Sequence, residues 1–477
     1  MKVRTRFAPS PTGYLHIGGL RTALYGFLFA KQRNGDFVLR IEDTDTARYV
    51  DGSVQIIYDT MRDSGVMYDE GPDVGGNYGP YVQSERKAIY KEYAEKLVEL
   101  GGAYYCFCDS ERIASLKDEN GNTRYDKHCL KLSKEEIKAK IDAGVPYVIR
   151  QNVPLEGTGS YHDLVYGDIA VDYKDIEDGI LLKSDGMPTY NFANVIDDHL
   201  MGITHVIRGT EYLSSTPKYN HMYDAFGWER PVYIHLPPIM KDAQHKLSKR
   251  NGDASYADFV EKGYVKQSII NYIALLGWSP KGNEEKMSLA ELIEKFSLDG
   301  ISKSPSIFDD VKLRWLSGEY IKEMSDEEFY ENALPFFKES KAYGKFDESK
   351  LLALCKNRIQ IFSEIPSKID FLCEFDSFDL ALFENAKQKS SAELAKQILP
   401  AIKETLLAVE DWNNSTLFAT LVELSGKLEI KKQALLWITR IALTGKESTA
   451  GGATEVADIL GKEETVKRID FTMSLLG

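Results

Sequence analysis

Residues 3–19, VRTRFAPSPTGYLHIGG, constrain this chain more tightly than any other stretch. A short strand-like run leads into a turn carrying Pro9, Pro11 and Gly13, and a helix follows at once. Leu20, Ala23, Leu24, Phe27 and Leu28 recur at helical spacing, and Gly35 closes the pattern. A strand that feeds such a turn and then a helix start is a ready anion site. Free backbone N–H groups and the positive end of the helix dipole both face the turn. His16 stands there, and Gly18 and Gly19 let a phosphate-bearing ligand approach the backbone closely. Taken alone, a single turn histidine is an ordinary structural residue.

A second stretch changes the weighing. Lys246-Leu247-Ser248-Lys249-Arg250 follows an extended apolar segment (Tyr233, Ile234, Leu236, Ile239) and precedes the turn signal Asn251-Gly252. A cationic loop at a second strand end suits the far side of a nucleoside triphosphate, although an isolated basic pentamer reads as a solvated turn. Together, HIGG at 16–19 and KLSKR at 246–250 resemble the HIGH and KMSKS motifs of class I aminoacyl-tRNA synthetases. Four further runs narrow the resemblance to the bacterial glutamyl-tRNA synthetases. They are FAPSPTG from Phe7, RIEDTD from Arg40, NVIDDH from Asn194 and SGEYI from Ser317. The similarity runs from the N-terminus to the last helix, and ordered motifs of this kind are far more specific than any one of them.

The totals agree with a multidomain globular protein. A chain of 477 residues holds several domains, and 43% hydrophobic with 28% charged residues is ordinary for that class. No apolar run approaches the ~20 residues of a membrane span, and Arg4, Arg6 and the Pro/Gly turn interrupt any signal-like core. Five cysteines in so long a chain suggest a reducing cytoplasm. The net charge of −14 neither supports nor excludes tRNA, because phosphate contact depends on local lysine and arginine.

The expected fold is α/β. Residues 3–8 and 37–42 read as buried parallel strands on either side of the first helix, the start of a doubly wound domain with ligands at the strand C-termini. The resemblance implies a class I Rossmann-type catalytic domain over 1–103 and 191–252, with an inserted α+β connective domain over 104–190 that grips the tRNA acceptor end. It further implies a stem-contact domain over 253–324 and an all-helical anticodon-binding half over 325–477. Helical spacing in that last part is visible directly, in Leu351, Leu352, Cys355, Ile359 and Phe362, in Leu394, Ile398, Ile402, Leu406 and Leu407, and in Leu435, Ile438, Ile441 and Ala442. It separates this chain from glutaminyl-tRNA synthetases, which read the anticodon with β-barrels. Residues 214–226 read as a helix ending at Gly227, and 251–276 as one helix.

Site residues follow from the matched motifs. Arg6, Ala8, Ser10 and Glu42 would line the amino-acid pocket, with Glu42 on the substrate ammonium. Arg6 has a second reading, a structural ion pair with an acidic neighbour such as Glu42. Tyr190 and Asn194, four apart on one helix face, would join the pocket. Arg6 and then Arg208 are the candidates for the substrate carboxylates, Arg208 for that of the side chain, and specificity for glutamate would rest on the two together. Thr12, His16, Gly18, Gly19, Glu211, Leu236 and Lys249 would hold ATP. Of these, Leu236 would meet the adenine through its backbone, and Glu211 would reach toward ATP or the terminal adenosine. His16, Lys246 and Lys249 are the catalytic candidates, stabilising charge on phosphate oxygens. Many relatives carry histidine where this chain has Tyr212, which leaves that position's role open. Arg358 is either an anticodon-reading arginine or part of a solvated helix face.

Cys106, Cys108 and Cys129 resemble a zinc knuckle found in some family members. Zinc takes four ligands. The position two after the last cysteine, histidine in that pattern, is Lys131 here. His128 is adjacent to Cys129, and adjacent residues rarely both ligate one ion without strain; Tyr125 is a further ligand by spacing, but a poor one. The alternative is three thiols in a zinc-free version of the fold.

The implied reaction is ATP-dependent activation of L-glutamate and its transfer to tRNA(Glu), with Mg2+ on the ATP phosphates. tRNA(Gln) is a second candidate acceptor. A monomer in the cytoplasm is expected, and relatives generally activate glutamate only with tRNA bound. A glutamate-activating tRNA-base modifier would lack the helical half. A non-catalytic synthetase-like regulator would usually have lost His16, Glu42 and Lys249. A generic nucleotidyltransferase would explain neither the acidic run at 43–46 nor the C-terminal helices.

Overall fold

A computed structural model describes residues 2–45, 48–116, 124–247 and 255–477. Ser248, Lys249 and Arg250 of the KLSKR run therefore lie outside the described residues. The chain forms two compact units, one of Met1–Phe259 with Lys266–Asp309 and the other of Val260–Val265 with Asp310–Gly477.

The first unit opens as its sequence pattern requires. β1 (Arg4–Phe7) leads through the Pro/Gly turn into α1 (Ile17–Gln32), and β2 (Asp36–Leu39) returns parallel to β1, with Arg6 opposite Val38. Leu20, Ala23, Leu24 and Leu28 of α1 are fully buried against these strands. Each leucine contributes about 1.5–3 kcal/mol of burial. Next come α2 (Ser53–Asp63), α3 (Lys87–Glu99), β3 (Ala103–Cys106), α4 (Ser110–Ala114), α5 (Lys134–Asp142) and β4 (Val148–Gln151). Ser133 and Glu136 close a capping box on α5. The hairpin β5 (Thr158–Asp163) and β6 (Gly167–Asp172) precedes β7 (Ile180–Leu182), which completes a small antiparallel sheet with β3 and β4.

The chain re-enters the catalytic layer with α6 (Tyr190–Leu200), β8 (His205–Gly209), α7 (Thr216–Phe226) and β9 (Val232–Leu236). As predicted, α7 ends at Gly227, in the left-handed conformation. β8 pairs parallel with β9, β9 with β5, and β5 antiparallel with β6. β8 also runs beside β1, where Thr204 N–H donates to Arg4 O at 3.0 Å. The pair β2-β1 thus lies alongside the four-stranded sheet β8-β9-β5-β6, next to β8. β5 and β6 come from the stretch expected as an insertion, yet they extend the catalytic sheet. β10 (Ile239–Met240) follows at the edge of the loop that leads to Lys246.

The single helix read over 251–276 is corrected to two, α8 (Tyr256–Glu261) and α9 (Lys266–Leu275). Gly263, at φ +81°, breaks it, and a Cβ there would lie 2.8 Å from Ser363 N. α10 (Leu289–Lys295) completes the helices of the first unit.

The second unit is helical throughout. It comprises α11 (Asp310–Glu323), α12 (Asp326–Lys338), α13 (Glu348–Lys356), α14 (Ile365–Ile369), α15 (Ala392–Leu407), α16 (Asn414–Lys427), α17 (Lys432–Thr444) and α18 (Ala453–Leu476), the last kinked at Gly461. Ser325, Ser391 and Asn413 accept backbone N–H groups three residues on, the sequence signal for these starts. The predicted helical stripes form its core, except that Leu407 is 44% exposed. Arg358 is exposed just past α13 and pairs with Glu455 at 2.8 Å. No described helix is long and apolar enough to cross a membrane.

Candidate active site

The parallel strands β1, β8, β9 and β5 end on one side of the sheet, and α1 begins there. His16 caps α1, its Nδ1 accepting the Gly18 N–H at 3.0 Å. An accepting Nδ1 leaves the ring proton of the neutral tautomer on Nε2. His16 thus acts as a donor at the positive end of a helix with no acidic residue in its first turn. The preceding turn is tied to the β2 side by its backbone. Glu42 N–H donates to Pro9 O, Thr12 N–H to Ser10 O, and Val50 N–H to Pro11 O. This brings Ala8, Ser10 and Thr12 beside Glu42, with Ser10 and Thr12 exposed.

Beneath that turn lies a buried ion network. Arg6 donates from Nε and Nη2 to Asp198. Arg40, with no exposed surface, donates to Asp198 at 2.8 Å and to Glu42 at 2.9 Å. Asp197 takes Arg86 at 2.7 Å, together with Gln83 and Tyr90. Burial works to raise the Asp198 carboxyl, and the charges of Arg6 and Arg40 overcome it and hold it below its ordinary range. Burial of Glu42 prevails over the pull of Arg40 and Arg6 and raises that carboxyl. Arg6 thus makes a buried ion pair. Its partner is Asp198, 192 residues away, while Glu42 belongs to Arg40.

Arg208 is different. It is 5% exposed, and among the described residues no carboxylate lies within 4 Å of it. Its Nε donates to His235 Nε2 at 3.1 Å, and its Nη2 donates to Thr216 Oγ1 at 2.6 Å. The guanidinium lies 4.9 Å from the rings of Tyr212 and Tyr219 and 5.3 Å from that of Tyr233. Tyr212, left open from sequence, is thus part of an aromatic cage around this cation. A buried guanidinium without an acid is costly unless an anion joins it. Tyr190 stands next to the cage, its ring 5.6 Å from that of Tyr212. Burial, and then the nearby charge of Glu42, raises the Tyr190 hydroxyl well above its ordinary value. Asn194, one turn on, is buried and donates to Tyr190 O at 2.7 Å.

The strand ends supply the remaining positions. Leu236, buried at the end of β9, lies opposite Gly209 of β8. Glu211 is exposed and folds back over Gly209, where a Cβ would lie 2.1 Å from its Oε2. Lys246 is exposed just past β10 and bridges to Met240. Lys249 is outside the described residues. Sequence reasoning passed over Arg40, Asp197, Asp198 and His235 as working groups. All four stand inside or beside stretches it had already picked out, RIEDTD, NVIDDH and the strand end at Leu236.

Cys106, Cys108 and Cys129 converge, all within 4.8 Å of one another, with Cys108 and Cys129 sulfurs 3.6 Å apart. The Tyr125 hydroxyl lies 3.3 Å from the sulfurs of both Cys106 and Cys108. His128 and Lys131 are exposed and are not members of this cluster. Tetrahedral zinc at about 2.3 Å from each sulfur places sulfurs about 3.8 Å apart. Three sulfurs and one phenol oxygen therefore fit such an ion. Arg150 Nε donates to the Cys106 sulfur at 3.3 Å. Burial works to raise that thiol, and hydrogen bonds from Tyr125 and Arg150 bring it below the ordinary value.

Comparison with known proteins agrees with this geometry. The family described as tRNA synthetases class I (E and Q), catalytic domain, matches residues 2–315, and an anticodon binding domain matches residues 328–473. A glutamate–tRNA ligase of Clostridium kluyveri is 54% identical over all of this chain and 98% of its own length. One of Clostridium botulinum (strain Loch Maree) is 54% identical over all of this chain and 99% of its own. The crystal structure of a glutamate tRNA ligase from Elizabethkingia meningosepticum, in complex with its amino acid, superposes with a TM-score of 0.90 at 35% identity, covering both chains fully. On this evidence the chain belongs to the class I tRNA synthetases of the E and Q type, with an anticodon binding domain after the catalytic one.

Proposed function

We propose that the chain is a glutamate–tRNA ligase. It activates L-glutamate with ATP and passes the glutamyl group to the 3′ terminal adenosine of tRNA(Glu). The observation that carries this reading is Arg208, a buried guanidinium caged by three tyrosines and lacking an acid partner among the described residues. Tyr190, next to that cage, feels the charge of Glu42, a buried carboxylate suited to an ammonium group.

In the first step a carboxylate oxygen of glutamate attacks the α-phosphorus of ATP, and the bond to the pyrophosphate oxygen breaks. No covalent protein nucleophile is needed. The chain's part is to align the reactants and to donate to phosphate oxygens as their charge grows. The N-terminus of α1 and His16 Nε2–H supply donors on one side, and Lys246 and Lys249 supply charge on the other. Magnesium rides on the ATP phosphates rather than in a protein cage. In the second step a ribose hydroxyl of the terminal adenosine attacks the acyl carbon, and AMP leaves.

Specificity rests chiefly on Arg208. Arg6 is already neutralised by Asp198, whereas glutamine would leave Arg208 buried without an anion. Cys106, Cys108, Cys129 and Tyr125 would hold zinc, which would brace the segment around β3. The helical unit reads the tRNA body and anticodon. The enzyme acts as a monomer in the cytoplasm. The test is ATP–pyrophosphate exchange with tRNA(Glu) present. Exchange should depend on glutamate and be negligible with glutamine, and a folded protein giving no glutamate-dependent exchange would refute the reading.

A further inference from the structure

Asp163, His235 and Arg208 sit at the ends of three neighbouring parallel strands, β5, β9 and β8. Arg208 and His235 are direct register partners, so their side chains share a face of the sheet. We propose that the Asp163–His235 pair is a positioning device that fixes the Arg208 guanidinium, and so sets the affinity for glutamate without touching it. The proposal rests on the reading of Arg208 as a ligand of a substrate carboxylate.

The directions of the hydrogen bonds make the case. Asp163 Oδ2 receives both the backbone N–H of His235, at 3.1 Å, and its ring Nδ1, at 2.7 Å. Oδ1 receives the N–H groups of Val165 and Tyr166 at 2.9 and 2.8 Å. All four contacts bring a donor to the carboxylate, so Asp163 works as an anion and Nδ1 of His235 carries the ring proton. Nε2 is then an acceptor, and Arg208, which can only donate, gives it Nε–H at 3.1 Å. Thr216 passes its own proton to Tyr212 O at 2.7 Å and so accepts from Arg208 Nη2. Nε and Nη2 are thereby pinned by neutral acceptors. These neutral acceptors orient the cation and leave its charge for a ligand. A carboxylate in place of His235 would have quenched that charge.

His235 and Asp163 are both without exposed surface. The groups facing the imidazole are Asp163 from β5, Arg208 from β8 and Glu211 beyond it, with the rings of Tyr161 and Tyr233 6.2 and 6.1 Å away. A second proton on His235 would set an N–H against the Arg208 N–H and a cation beside a cation, so the arrangement holds only with a neutral ring. Burial and Arg208 both act to keep it neutral.

The experiment is steady-state charging of tRNA(Glu) by the full chain and its His235→Leu, His235→Gln and Asp163→Asn variants, with folding checked by thermal unfolding. Leucine fills the space but accepts nothing, glutamine retains an acceptor, and Asp163→Asn turns an NH2 toward one pair of the four donors, either those on Oδ1 or those on Oδ2. His235→Leu is expected to raise KM for glutamate at least about tenfold, with KM for ATP and kcat changed less than about threefold, and His235→Gln to recover most of the loss. Should His235→Leu not fold, Asp163→Asn decides the matter by the same split, with His235→Gln expected to stay close to the unaltered chain. Parallel loss in kcat and both KM values, or an unchanged KM for glutamate, overturns the positioning role. Failure of the unaltered chain to charge glutamate would instead overturn the functional reading itself.

Discussion

Replacing Arg208 by Met should separate two properties that usually change together, stability and substrate binding. Arg6→Met is the control. Arg6 and Asp198 form a pair with 5% and 3% of their side chains exposed, and removing one partner of such a pair costs about 3–5 kcal/mol. Arg208 has no acid to abandon. Its loss strands the His235 Nε2 acceptor, a cost of about 1–3 kcal/mol. It also removes a desolvated cation, a relief of several kcal/mol. With methionine filling the volume, the net change should fall within about 1 kcal/mol. Binding should respond differently. A lost buried ion pair with the substrate costs about 3 kcal/mol, and at 1.4 kcal/mol per decade that is about a hundredfold in KM for glutamate. Thermal unfolding of both variants, alongside tRNA-dependent pyrophosphate exchange, reads both quantities. Equal destabilisation of the two variants, or a normal KM for glutamate in Arg208→Met, would refute the argument.

Three further outcomes are expected. Lys249→Ala should slow pyrophosphate release about a hundredfold, as loss of one transition-state donor does, and an unchanged rate would remove Lys249 from the mechanism. Elemental analysis should find about one zinc per chain, less in Tyr125→Phe and least in Cys108→Ser; metal-free protein with three alkylatable thiols would exclude the site. Burial works to raise Asp36, and Lys2 and Arg4 overcome it and hold its carboxyl below the ordinary 3.8. Its contribution to stability is therefore complete above about pH 4 and lost as pH falls through the depressed value. Asp36→Asn should accordingly flatten the acid limb of thermal stability, and equally steep curves would contradict the assignment.

Local signals in the sequence carried far. The strand, turn and helix around His16, the stop at Gly227 and the shared face of Tyr190 and Asn194 all depend on neighbours a few residues apart, and all are observed. What local spacing left open or misplaced has a common cause in long-range contact. Spacing along the chain cannot select Asp198 rather than Glu42 as the partner of Arg6, because the choice is made by β1 packing beside α6. It cannot show that Tyr125 rather than His128 turns toward the thiols. An apolar pattern over 251–276 continues across Gly263, where the backbone does not. The Arg208 cage was legible only in pieces, since its members come from β8, the turn after it, α7 and β9.

Transfer of labelled glutamate onto purified tRNA(Glu) and tRNA(Gln), in separate reactions, tests the central claim most directly. The account predicts that tRNA(Glu) is charged with glutamate in an ATP-dependent reaction and is not charged with glutamine. Charging of tRNA(Gln) as well would mark a broader acceptor range for the same chemistry. A folded chain that transfers glutamate to neither would contradict the account.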